Sequence, residues 1–193
     1  MIPLLLVRHG KTAWNLQKKL QGRRDIPLCP EGMQELSRRG LPAGFEAYNW
    51  VSSPLVRAQE TAVLLGGRDI RVEPTLIEMD WGDWEGFTIP TLRERLGDAM
   101  EQNEARGLDM QPTGGESPRM VQERLRPWLA ALDAPTVAVT HKGVIRAIKS
   151  LAYQWDMKDK FPLEFDWSAA HLFDIDGKGE VHPVRLNISL ENT

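Results

Sequence analysis

The sequence predicts an α/β protein, a three-layer α/β/α sandwich around a mostly parallel mixed sheet with an antiparallel edge hairpin. Three observations carry that prediction. Leu4-Leu5-Leu6-Val7 and Thr136-Val137-Ala138-Val139-Thr140 are short apolar runs without charge, as strands buried on both faces require. Between them, helix-spaced segments alternate with further short strands, the pattern of βαβ units. Near the end, Asp176-Gly177-Lys178-Gly179 divides a stretch that alternates apolar and polar residues, which is a hairpin signal.

The elements follow in order. The first strand covers about 3–8, and a polar stretch over 9–29 reads as a functional loop. Pro30 opens a helix running to about Arg39, with Cys29 as a weak N-cap. Asn49-Trp50-Val51 is a strand, after which Ser53 as N-cap and Pro54 as first residue open a helix. Leu55, Ala58, Ala62 and Leu65 share one face of that helix, and Gly66-Gly67 ends it. Ile70-Arg71-Val72 is a short strand, and 76–86 is irregular, with Trp81 and Trp84. Residues 88–107 form a polar helical cover, and 113–116 a loop. Ser117-Pro118 starts a helix with Val121, Leu125, Trp128 and Leu132 inward. The second histidine strand follows, then a helix over 143–153 and the hairpin over roughly 164–188.

At 193 residues the chain is expected to form a single domain with a substantial core. A net charge of −3 argues against nucleic acid or an anionic membrane as partner. One cysteine rules out an internal disulfide and suits a cytoplasmic location. No signal peptide or membrane-spanning run is expected, because Arg8 interrupts the first apolar stretch. Oligomeric state is left open, with a homodimer among the options.

Both apolar strands run into a histidine with a glycine close behind, Arg8-His9-Gly10 and His141-Lys142-Gly143. In open α/β sheets ligands collect beyond the carboxyl ends of the strands. Adjacent parallel strands would therefore set two imidazoles side by side in one crevice. A neutral imidazole is a competent phosphate nucleophile, Arg8 offers a planar fork to phosphate oxygens, and Gly10 lets backbone approach closely. Arg57 lies near the start of a helix that follows a strand end, where the helix dipole also favours an anion. A leaving alkoxide needs an acid, for which Glu78, Glu85 and Glu116 are rivals. His9, His141 and Glu78 could in principle ligate zinc, but convergent arginines repel a dication and attract an anion. His171 and His182 read as structural or surface residues, and Trp128 as core.

Taken together these pieces resemble the histidine phosphatase superfamily, the phosphoglycerate mutase-like proteins. Arg8-His9-Gly10-Lys11-Thr12 with Trp14-Asn15, then Gln21-Gly22 and Asp25-Ile26-Pro27-Leu28, are similar to the segment around the family's phosphorylated histidine. Ser52-Ser53-Pro54 with Arg57, then Glu78 with Trp84-Glu85-Gly86, Gly114-Gly115-Glu116-Ser117, and His141 with Gly143 and Arg146 match later motifs in order. The resemblance implies that His9 becomes phosphohistidine and that Arg8, Arg57 and His141 hold the phosphoryl oxygens. It implies a hydrogen bond from Asn15, places Gln21 and Gly22 in the binding loop, and selects Glu78 as the acid. It implies a small-molecule phosphate ester as ligand and neither metal nor cofactor. Lys142 departs from the glycine usual there and stands either at the pocket rim or in solvent. The interval between Glu78 and His141 is short, which favours a phosphatase over a phosphoglycerate mutase. A non-catalytic phospholigand-binding protein is the alternative of another class.

Overall fold

The computed structural model describes residues 1–192. Its main sheet has six strands: β1 (Ile2–Arg8), β3 (Asn49–Ser52), β4 (Arg71–Val72), β5 (Thr136–Thr140), β6 (Ala170–Ile175) and β7 (Val181–Ile188). A two-residue β2 (Arg39–Gly40) pairs separately with β8 (Glu191–Asn192). The helices are α1 (Ala13–Leu16), α2 (Pro30–Leu36), α3 (Val56–Leu64), α4 (Ile89–Leu96), α5 (Asp98–Glu104), α6 (Pro118–Ala130) and α7 (Lys142–Tyr153). The sheet order is β4-β3-β5-β1-β6-β7. The first four strands are parallel and the last two add an antiparallel edge.

Alternation along β1 explains the layers. Successive side chains point to opposite faces, so an uninterrupted apolar strand needs cover on both. Leu4 and Leu6 pack with Val121, Leu125 and Leu129 of α6 and Val144, Ile145 and Ile148 of α7. Leu5 and Val7 pack on the other face with Leu36 of α2 and with Ala58 and Ala62 of α3. The α/β/α sandwich is the outcome, with the antiparallel hairpin at one edge. Asp176 caps that hairpin, its carboxylate accepting from the N–H groups of Lys178 and Glu180 at 2.8 and 3.0 Å.

Several boundaries differ from the sequence reading. The helix after Ser53-Pro54 begins at Val56, because the Ser53 N–H donates to Val139 O at 3.0 Å and so prolongs the sheet. α2 stops at Leu36 rather than Arg39, since Arg39 and Gly40 are drawn into pairing with the C-terminal strand. The cover over 88–107 is two helices broken at Gly97, whose φ of 52° is left-handed. The loop over 9–29 contains α1, fixed by a capping box between Thr12 and Asn15. On α6 the fully buried third position is Leu129, whereas Trp128 is partly buried against the same core. Residues four apart, 121, 125 and 129, stay in register with the 3.6-residue turn. No helix among the described residues is long and apolar enough to cross a membrane.

His171 is buried on β6 and stacks on Phe165, ring centroids 3.8 Å apart. Burial pulls its pKa down from 6.5 to about 4. As pH falls through 6.5 the unfolded chain takes up this proton first, so stability falls between pH 6.5 and 4 and then levels. The full loss is ~3 kcal/mol. Urea unfolding of the wild type and of His171→Phe should give stabilities whose difference changes across that window. A difference constant with pH would remove His171 as its source.

Candidate active site

The site is assembled by the β1–β5 pairing. Arg8 lies opposite Thr140, and the His9 N–H donates to Thr140 O at 2.9 Å. His9 and His141, the residues after these strands, therefore emerge side by side with ring centroids 5.1 Å apart. Thr140 also donates through Oγ1 to Leu76 O at 2.8 Å, which ties the segment carrying Glu78 to the same strand end.

The tautomer of His9 is set locally. Its Nδ1 is 2.7 Å from Gly10 O, and a carbonyl only accepts, so Nδ1 carries the hydrogen and Nε2 keeps its lone pair. Burial holds the His9 pKa well below the usual histidine value, and Arg57 and Arg8 push it the same way. His141 Nε2 is 2.6 Å from Ser53 Oγ, and burial with His9 and the arginines lowers its pKa too. Gly10 donates its N–H to Thr61 Oγ1 at 2.9 Å, and a Cβ there would run into Leu36.

Arg57 is completely buried on α3. Its Nη1 and Nη2 donate to Arg24 O and Gly22 O, each at 2.8 Å, so the loop after α1 orients the guanidinium. Glu78 is buried, accepting from Met79 N–H at 2.7 Å and Gly143 N–H at 3.1 Å. Burial pushes its pKa up, opposed by the Met79 N–H and by Arg57. Its rivals are engaged elsewhere. Glu85 accepts from Arg23 N–H at 2.8 Å, and Glu116 ion-pairs with Arg124 at 3.0 Å and Arg23 at 3.2 Å.

Arg8, His9, Asn15, Gln21, Gly22, Arg57, Glu78 and Lys142 line one cavity of about 590 Å³, and His141 stands beside it against His9. A larger surface depression of about 1030 Å³ lies by Asn49 and Ala134, at the amino ends of β3 and β5, and is lined by none of them. Asn15 accepts from Thr12 N–H at 3.0 Å through Oδ1, which leaves its NH₂ to offer. Gln21 Oε1 accepts from Thr12 Oγ1 at 2.8 Å. Lys142 is at the cavity wall, its Nζ 5.0 Å from the Trp167 ring centre, which decides between rim and solvent in favour of the rim.

Four buried side-chain polar atoms have no partner among the described residues. Three belong to this cluster: Arg8 Nε, Arg57 Nε and His141 Nδ1. A buried donor without a partner costs ~1–3 kcal/mol, which an anion accepting from it would offset. Ser53 can donate its O–H to His141 Nε2, which leaves Nδ1–H as a third donor. The arrangement suits a tetrahedral oxyanion better than a metal ion, and no three His, Cys, Asp or Glu side chains among the described residues are grouped to hold one.

Sequence reasoning missed several parts of the site. Ser53 reads as a helix cap and instead serves His141, although Ser-Ser-Pro at a strand end was the available signal. Arg146, read in the sequence only as part of the motif around His141, lines the cavity one turn beyond Lys142. Lys149, a turn further, is buried with its Nζ 3.9, 4.1 and 5.0 Å from the ring centres of Phe161, Phe165 and Trp155. That aromatic clasp holds the segment whose Trp167 also meets Arg8, at 5.9 Å.

Known proteins share this architecture. Residues 4–188 match the histidine phosphatase superfamily (branch 1). The chain is 32% identical to a 2,3-bisphosphoglycerate-dependent phosphoglycerate mutase of Parvibaculum lavamentivorans, covering 97% of this chain and 96% of that one. Among solved structures it is similar to a mycobacterial glucosyl-3-phosphoglycerate phosphatase complexed with VO3. The TM-score is 0.79 at 26% identity, over 98% of this chain and 100% of that one. It is also similar to an Entamoeba histolytica phosphoserine phosphatase in complex with 3-phosphoglyceric acid. There the TM-score is 0.79 at 25% identity, over 98% of each chain.

The clustered donors predict oxyanion binding. Inorganic phosphate or vanadate at about 100 times its Kd should stabilise the protein by ~2.7 kcal/mol, raising Tm by roughly 5–10 °C. Arg8→Met should lose most of that rise, read by thermal shift. An undiminished rise in the variant would place the anion elsewhere.

Proposed function

The chain belongs to the histidine phosphatase superfamily, and from that premise we propose that it is a metal-independent phosphomonoesterase acting through phosphohistidine on a small phosphorylated metabolite. The observation that carries this reading is the hydrogen bond from His9 Nδ1 to Gly10 O, beside two arginines with buried, unpartnered Nε atoms. It leaves a lone pair on Nε2, in a ring kept neutral by burial and by the same arginines that attract the substrate.

In the first step Nε2 of His9 attacks phosphorus, a P–N bond forms and the ester P–O bond breaks. Its electron pair leaves on the alcohol oxygen, which takes the proton of Glu78. In the second step water attacks the phosphohistidine, Glu78 receives a proton from it, and the P–N bond breaks with its electrons returning to Nε2. Arg8, Arg57 and His141 hold the phosphoryl oxygens through both steps, and Asn15 adds a donor. The two arginines, with these neutral donors, give the charge stabilisation that otherwise falls to a metal. Burial raises the Glu78 pKa and lowers that of His9, which biases the carboxyl toward its protonated form and the imidazole toward its neutral one.

A mutase reading has one observation in its favour: the curated relatives carry that name. The Parvibaculum relative with that name is matched over 96% of its own length. In a mutase the phosphoryl group returns to a second organic hydroxyl instead of water.

Rapid quenching after mixing with a phosphomonoester should trap an acid-labile, base-stable phosphoenzyme, absent in His9→Ala. Labelling and turnover retained in that variant would refute the reading. Supplied with 3-phosphoglycerate and 2,3-bisphosphoglycerate, the protein should release phosphate faster than it isomerises, and the reverse would favour the mutase.

Glu78 is tested by leaving group. An alkoxide leaves at great cost unless protonated, whereas a nitrophenolate leaves without help. Glu78→Gln should slow phosphoenzyme formation from an alkyl phosphate by ~10²–10⁴-fold and from nitrophenyl phosphate much less. Equal losses in that step would mean that Glu78 is not the acid.

A further inference from the structure

Away from His9, the cavity is walled by side chains of another kind. Leu20, Trp81, Trp84, Ile89, Met100 and Met110 all line it. They pack together as a small core under α4 and α5, with Trp81 and Met110 also packed against the core beneath α6 and α7. The Trp81 and Trp84 rings lie 18° from parallel with centroids 6.1 Å apart.

Lys18 and Lys19 line the cavity beside Leu20, and Lys19 Nζ lies 5.6 Å from the Trp14 ring centre, while the polar groups next to the indoles and under α4 are already committed. Arg93 grips Glu104 with a two-pronged pair at 2.8 and 3.1 Å. The N–H groups of Gly82, Asp83 and Trp84 donate to Asp80 Oδ1, Thr113 O and Trp81 O. None of the buried unpartnered side-chain atoms among the described residues lies here. Lys142 and Arg146 reach the cavity from α7, over the Trp167 and Trp155 rings, and do not interrupt it. A hydroxyl entering this arm exchanges water for hydrocarbon with little to bond. A ring entering it removes apolar area from water and stacks beside the indoles.

We propose that this arm takes the organic part of the substrate, and that this part is a flat apolar group such as an aryl ring rather than a polyhydroxylated chain. The inference rests on the phosphomonoesterase reading only for which end of the substrate meets His9. Chemically it separates the phosphate, held by cations, from the remainder of the molecule, held by indole and thioether surface.

Phosphonates test this without turnover, since their P–C bond is not cleaved by this chemistry. By titration calorimetry, benzylphosphonate should bind about tenfold or more tighter than methylphosphonate or 2,3-dihydroxypropylphosphonate. Ile89→Asn should cut that preference at least about threefold. Ile89 is the first residue of α4 and only partly buried, so the fold should tolerate the change. Trp81→Ala, likewise partly buried, is the second variant. Benzylphosphonate binding no tighter than the other two, or a preference that both variants leave intact, would overturn the inference while a trapped phosphohistidine kept the phosphatase reading alive. The preference without any phosphoenzyme would uphold the arm and sink the phosphatase reading instead.

Discussion

The site depends on one register, that of the parallel β1–β5 pair in which Arg8 faces Thr140. The His9 N–H continues that ladder to Thr140 O, which fixes where both histidine side chains leave the sheet. A slip of one residue would send the neighbouring side chains to the opposite face. The sandwich forbids such a slip, because Leu4 and Leu6 serve one core and Leu5 and Val7 the other. Hydrophobic burial thus sets the separation of the two imidazoles, which no interaction between the rings themselves would hold, since two such rings repel once charged.

The second constraint is charge. Arg8, Arg57, Lys142 and Arg146 are gathered at one end of a cavity with Glu78 as their nearby carboxyl, and burial lowers the pKa of all four. Arg57 keeps its place through neutral carbonyls rather than a carboxylate. Carbonyls orient a guanidinium without cancelling its charge, so its field stays available to a ligand anion. Had Glu85 or Glu116 turned inward to pair with Arg57, that field would be neutralised. Instead Arg23, Arg24 and Arg124 hold those carboxylates away.

Arg57 was placed by its helix start, and Glu78 was selected from Glu85 and Glu116 only by the family resemblance, whereas the fold class and the meeting of Arg8 and His9 with His141 were legible in the sequence itself for one reason. Uncharged strand runs and the residues that end them are local signals, and the parallel βαβ topology converts them into neighbours. What the sequence concealed depends on partners far along the chain. Ser53 looks like a cap because Ser-Pro usually is one, and only the approach of His141 recruits its hydroxyl. Lys142 is ambiguous until Trp167, in a later segment, comes beneath it. Trp128 and Leu129 are separated by a single residue of helix phase, which composition alone does not resolve. The apolar arm draws Leu20, Trp84 and Met100 from three separate segments, so no periodicity announces it.

The short interval between Glu78 and His141 bears on the reaction only indirectly. A longer covering segment matters only through the groups it brings to the phosphoryl acceptor, and relatives with either name match nearly the whole of this chain. On the proposed mechanism, hydrolysis and transfer begin with the same phosphohistidine. They divide at the second step, according to whether water or an organic hydroxyl stands in line with the P–N bond. A phosphorylated acceptor needs its own anionic groups held while it waits, whereas water, on the mechanism proposed above, needs only the carboxylate of Glu78. On the side of α7, Lys142 and Arg146 are the groups placed to hold such an acceptor. Both lie over indole rings, at 5.0 and 5.4 Å, and each is therefore partly satisfied already by an aromatic face. The wall under α4 and α5 presents hydrocarbon and a closed Arg93–Glu104 pair. An acceptor rich in hydroxyl and carboxylate groups finds few free partners there, and water meets no such demand.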